Sequence, residues 1–96
     1  MKDKEKTKTV FRIWPNGDVI ALFPQIPYDD IHGYLCLSYL QVGQHGAANE
    51  LIVVRQTRLA KPKEYRPLLK ELQQLGYRPT VAKRCTGKDF EIRRAE

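Results

Sequence analysis

The sequence predicts an α+β domain: a single two-layer unit whose antiparallel sheet of four to six strands carries one helix on one face. Three observations lead there. Two β-branched and aromatic runs flank an Asn-Gly turn near the start, and one stretch spaces its leucines for a helix near the end. The length of 96 residues allows one domain with a modest core, burying roughly 60–65% of the surface an unfolded chain exposes.

Taken in order, residues 1–8 alternate cations with anions and are expected to form a disordered tail, leaving 9–94 as the folded domain. Thr9 to Trp14 reads as a strand, with Arg12 on the side opposite Phe11 and Ile13. Asn16-Gly17 suits a tight hairpin with positive φ at both central positions, and Val19 to Phe23 returns as the second strand. Pro24 and Pro27 are expected to end it, since neither donates to a ladder. A loop through Asp29, Asp30 and His32 leads to the run Tyr34–Leu40, a third strand of central character. The small and polar segment around His45 reads as a loop. Leu51 to Thr57, with two valines after an isoleucine, favours strand while leaving helix open.

Tyr65, Leu68, Leu69, Leu72 and Leu75 form one apolar stripe, and Gly76 stands where a left-handed cap is expected. Pro67, tolerated best in a first turn, places the regular helix at about 64–75. Its leucines should pack against Phe11, Ile13, Ile20, Leu22, Leu35, Leu37, Ile52 and Val54, subject to face assignment. Tyr77 to Arg84 reads as a strand, and Pro79 near its beginning suggests an edge position. Thr86 to Glu96 reads as a last short strand or a loose tail.

A composition of 42% hydrophobic and 29% charged residues is that of an ordinary globular domain. No apolar run approaches the ~20 residues of a membrane span, and the N-terminus lacks the apolar segment of a secretory signal, so the expected location is the cytoplasm. Cys36 and Cys85 are too few for a disulfide framework and read as a core thiol and a surface thiol, both reduced. The charge of +6 is uneven: residues 1–48 carry five cations and five anions, whereas residues 49–96 carry twelve and six.

That asymmetry is an argument about partners. Arg55, Arg58, Lys63, Arg66, Lys83 and Arg84 are the candidate nucleic-acid-binding residues, drawn from a set that also holds Lys61, Lys70, Arg78, Lys88, Arg93 and Arg94. Releasing counterions from several phosphates would supply the affinity. Trp14, Tyr28, Tyr34 and Tyr39 are available to stack on bases. No RNP-like motif, helix-turn-helix or zinc finger accompanies them.

His45, with Gln44 beside it, marks a candidate binding segment. A catalytic role lacks a nucleophile elbow, a reactive cysteine signature or paired carboxylates nearby, so no catalytic residue is assigned. His32 and Cys36 would lie roughly 13 Å apart on a strand, too wide for one ion, and Asp29-Asp30 without further oxygen ligands reads as a solvated turn. Neither metal nor cofactor is expected.

The segments GDVIALFPQIP, GYLCLSYLQVGQHGAA and YRPLLKELQQLGY resemble a group of small bacterial proteins of unassigned activity, some carried on phages and mobile elements. The likeness spans about 17–84 and implies an accessory role, with the Gly-Gln-His-Gly segment a hallmark of the group. The expected function is therefore a non-enzymatic accessory binding protein docking nucleic acid. The alternative is a protein-interaction module, self-associating through a strand edge, with an enzyme using His45 third. Monomer and homodimer both stay open.

Overall fold

A computed structural model describes residues 6–28, 35–40 and 44–95. It bears out the α+β class. Six strands form one sheet: β1 (Lys6–Ile13), β2 (Val19–Pro27), β3 (Cys36–Leu40), β4 (Gln44–Ala48), β5 (Arg58–Leu59) and β6 (Arg78–Ala82). The order β4-β3-β2-β1 is antiparallel throughout. Two strands then share the outer edge of β1. β5 pairs antiparallel with Arg12 and Ile13, and β6 pairs parallel with residues 6–10.

Strand alternation sorts the side chains into two cores. Phe11, Ile13, Val19, Ala21, Phe23 and Tyr39 point to one face, where Leu68 and Leu72 of helix α2 (Pro62–Gln74) bury against them. Val10, Ile20, Leu22 and Cys36 point to the other, beneath Val53 of helix α1 (Glu50–Gln56). Helix α3 (Gly87–Ala95) packs on β2 from that second side. The single helix expected on one face is there, but α1 and α3 cover the opposite face. Ile20 and Leu22 accordingly belong to the second core rather than under α2.

Several local expectations change. Lys6 to Lys8 belong to β1 rather than to a tail, and residues 1–5 lie outside the described ones. The hairpin is present with a different turn: Gly17 alone has positive φ (97°), and Trp14 and Asp18 close a longer loop through an N–H···O bond of 2.8 Å. Pro15 at the second position of a turn favours the right-handed type that needs no positive φ at Asn16. β2 runs on through Pro24 to Pro27 because a bulge between Phe23 and Pro27 absorbs the missing donors. The His45 segment is strand, not loop, paired with β3 in the register Tyr39↔His45.

Residues 51–57 are mainly helix, against the strand reading. The Asn49 side chain accepts hydrogen bonds from the N–H groups of Leu51 (3.1 Å) and Ile52 (3.3 Å). At the other end, the Arg12 guanidinium donates to the carbonyls of Val54 (3.1 Å) and Thr57 (2.7 Å). Both ends of a short β-branched helix are thus satisfied by side chains, which outweighs a propensity difference of well under ~1 kcal/mol per residue. Leu51 and Ile52 are exposed, contrary to the expected core role of Ile52.

α2 begins at Pro62, two residues early, because Glu64 reaches back to accept the Lys61 N–H (2.8 Å). Pro67 consequently lies inside the helix, on its exposed face. Gly76 caps the end at φ 102°, with Tyr77 N–H bonded to the Leu72 carbonyl and Gly76 N–H to Gln73, both at 3.0 Å. Leu75, expected in the core, is half exposed. Residues 87–95 form α3 instead of a strand or tail. Thr86 and Asp89 close a reciprocal box at its start: Asp89 N–H donates to Thr86 Oγ1 (3.2 Å) and Thr86 N–H to Asp89 Oδ2 (2.9 Å).

Two polar clusters fasten α3. Asp89 is buried and also accepts from Lys8 Nζ (2.6 Å) and Gln25 Nε2 (2.9 Å). Arg93, equally buried, donates to the Pro24 carbonyl (2.7 Å) and to Glu50 Oε2 (2.8 Å). No helix among the described residues is long and apolar enough to cross a membrane.

Candidate nucleic-acid interface

The shared edge of β1 is where charge and aromatic surface meet. β6 stops pairing at Val10↔Ala82 and β5 starts at Arg12↔Leu59, so the two strands part at Phe11. Tyr65, on the first turns of α2, stacks on the Phe11 ring at 4.5 Å and 10° between planes. The gap is a cleft of about 360 Å³ floored by this pair and walled by Leu59 and Val81, with Lys61 and Lys83 on its lining. Among the described residues no carboxylate lines it. Leu59 and Val81 are 37% and 44% exposed, so the walls of the cleft present apolar surface to water.

Next to it, Arg55 and Arg58 line a second concavity together with Trp14. From Arg55 to Arg66 the chain carries five cations and only Glu64 as an anion. Lys63 and Arg66 are exposed on α2, and Arg84 is exposed just beyond β6. The fold therefore groups Arg55 with Arg58, and brings Lys83 beside Lys61, a residue missing from the candidate set. Arg58 is spoken for: its fork donates to Glu64 Oε1 (2.9 Å) and Oε2 (2.6 Å). The guanidinium, with the Lys61 N–H, pulls the Glu64 carboxyl down to about 2.

Three other cations of the C-terminal half do not join this edge, whereas Arg78 begins β6 itself. Lys88 and Arg94 are exposed on α3, across the sheet, and Arg93 is buried in its ion pair. Among the expected stacking aromatics, Tyr39 is buried and donates its hydroxyl to Glu71, an interaction that raises its pKa. Tyr34 lies outside the described residues, as do Asp29, Asp30 and His32. Tyr65 and Phe11 were the missed aromatics. Spacing marks both as core; Phe11 is buried there, and the divergence of β5 from β6 leaves the half-buried Tyr65 stacked on it at the cleft.

His45 sits at the far side of the sheet, on β4. Its ring meets Tyr39 edge-on at 4.6 Å between centroids, and its Nε2 lies 2.9 Å from the Tyr77 hydroxyl. Burial raises the Tyr77 pKa, so that hydroxyl stays protonated. These partners orient the imidazole by packing and supply neither a nucleophile nor a base. Gln44 shares the strand. Among the described residues, no three His, Cys, Asp or Glu side chains converge as a metal would require. The thiols are unbridged, and burial pushes Cys36 up to about 12 and Cys85 to about 11, which keeps both protonated and weakly nucleophilic.

Comparison of the chain with protein-family models, with curated proteins and with solved structures gives no match.

Proposed function

We propose that this chain is a non-enzymatic accessory binding module that docks nucleic acid along the edge formed by β5, β6 and the start of α2. The observation that carries the proposal is the pair Lys61 and Lys83 at an apolar cleft with no carboxylate among its described lining residues, continued by Arg55, Lys63 and Arg66 along the same stretch of chain. Exposed cations in such a row displace counterions from a phosphate backbone, and the gain is entropic and salt-sensitive. Cytoplasmic residence, supported by the two unbridged thiols, belongs to the same proposal.

The test is a titration of fluorescent single-stranded and duplex oligonucleotides at two salt concentrations. Four phosphate contacts to a single strand predict a slope of about −3 in log K against log salt, close to 50-fold weaker binding at 200 mM than at 50 mM. Lys61→Glu with Lys83→Glu should remove most of the binding. Salt-insensitive or absent binding would eliminate this reading.

One observation favours a second reading. β4 ends the sheet, and its outer edge has no strand beside it among the described residues. An open edge of this kind can pair with another chain, including a second copy. Sedimentation at increasing concentration distinguishes the two, since only edge pairing makes mass depend on concentration.

A further inference from the structure

The geometry points to capture of a single unstacked base in the cleft between β5 and β6, making the chain a reader of single-stranded rather than duplex nucleic acid. This rests on the docking function proposed above and specifies its substrate. A surface that recognised only phosphates would need cations and nothing else. Here the cations Lys61 and Lys83 accompany an opening whose floor is the stacked Phe11–Tyr65 pair and whose walls are Leu59 and Val81. Apolar side chains left open to water at a cationic edge call for a flat apolar group that arrives with negative charge attached. A nucleotide in a flexible strand is that group.

Size and topology agree. The cleft's 360 Å³ falls at the lower end of the roughly 300–1,000 Å³ typical of small-ligand sites. It is bounded by strands on two sides, because β6 ends its pairing at Val10 and β5 begins at Arg12. A base within a duplex stays paired and stacked, and extruding it costs free energy that a single strand need not spend. The preference for single strands then follows from the cleft, while overall affinity and salt dependence follow from the cations.

The probes are a fluorescein-labelled 12-mer of deoxythymidine, the same backbone made abasic, and a 12-bp duplex, each measured by anisotropy. With the parent protein the abasic strand should bind about 5- to 150-fold more weakly than the 12-mer, the range for loss of one stacked base. Val81→Glu places a carboxylate at an exposed wall position without entering either core, and circular dichroism confirms its fold. It should abolish the preference for bases while salt-sensitive binding of all three probes persists. Tyr65→Ala should act alike. Salt-sensitive binding that is equal within twofold for the 12-mer and the abasic strand overturns base capture and leaves backbone docking standing. Failure of every probe to bind overturns both. Displacement of the 12-mer by an equimolar nucleoside monophosphate would reassign the cleft to free nucleotides and overturn strand reading.

Discussion

Replacing Arg93 by methionine tests how the second layer of helices is held. Its guanidinium is buried in α3, donates to the Pro24 carbonyl on β2 and grips Glu50 at the start of α1. Methionine fills similar space but leaves the Glu50 carboxylate, itself 6% exposed, without that cation. Breaking one side of a buried pair costs about 3–5 kcal/mol. Against a total stability of roughly 5–14 kcal/mol for a domain of this size, that is a large fraction. Removing both partners in the Arg93→Met/Glu50→Met variant takes away the stranded charge. What remains is mainly the Pro24 carbonyl deprived of a donor, about 1–3 kcal/mol. The double variant should therefore be more stable than either single one. Coupling by this ledger is at least ~3 kcal/mol, far outside the ~0.3–0.5 kcal/mol expected of independent sites. Trp14, which packs against the same core as Val53, reports unfolding in urea by its fluorescence. Should Arg93→Met fail to fold, recovery of folding in the double variant makes the same point. Additive single effects, or a loss below ~1 kcal/mol for Arg93→Met, would refute the reasoning.

Other expectations are simpler. Leu72 is fully buried under the sheet, so Leu72→Ala should lose about 2–5 kcal/mol by urea titration and Leu72→Asp should not fold; a Leu72→Asp variant as stable as the parent would contradict the packing of α2. Asn49→Ala removes the cap on α1 and should lose about 1 kcal/mol, with Asn49→Gly losing less. Acid should weaken the domain. Glu64 has its folded pKa depressed from 4.5 to about 2, so its contribution is complete above about 4.5 and disappears as pH falls toward 2. Burial alone would raise Asp89, but hydrogen bonds from Lys8, Gln25 and the Thr86 N–H hold it below its ordinary value, and the sign is the same. Urea midpoints of the parent should drop between pH 5 and 2, and Glu64→Gln should remove part of the drop. Identical pH profiles for the two proteins would exclude the Arg58–Glu64 contact as a contributor.

The α2 helix was legible because its information is local. Leucines at helical spacing and Gly76 at the end need no partner to be recognised, and the observed cap has the bonds that a left-handed glycine allows. The sequence favours strand over helix for α1 without excluding helix, and it misses α3, although each carries a local signal. Asn49 before the apolar run is a cap, and Thr86 three residues before Asp89 is a capping box. The valines of α1 and the charges of α3 spoke louder than these single residues. Propensity averages over a whole segment, whereas a cap acts through one or two bonds.

The site divides in the same way. Sequence alone determined the surplus of cations in the second half, the hairpin and the amphipathic helix, because charge counts and periodicities belong to the chain itself. Tertiary structure decided which cations lie together. Arg58 is committed to Glu64, Arg93 disappears into an ion pair, and Lys61 joins Lys83. It also set Tyr65, stacked on the buried Phe11, at a cleft where two strands part along one edge of β1. The reason is physical: pairing and burial depend on which segments lie side by side, and the meeting of Lys61 and Lys83 on one cleft or the ion pair of Glu50 and Arg93 leaves no mark on the residues around either one.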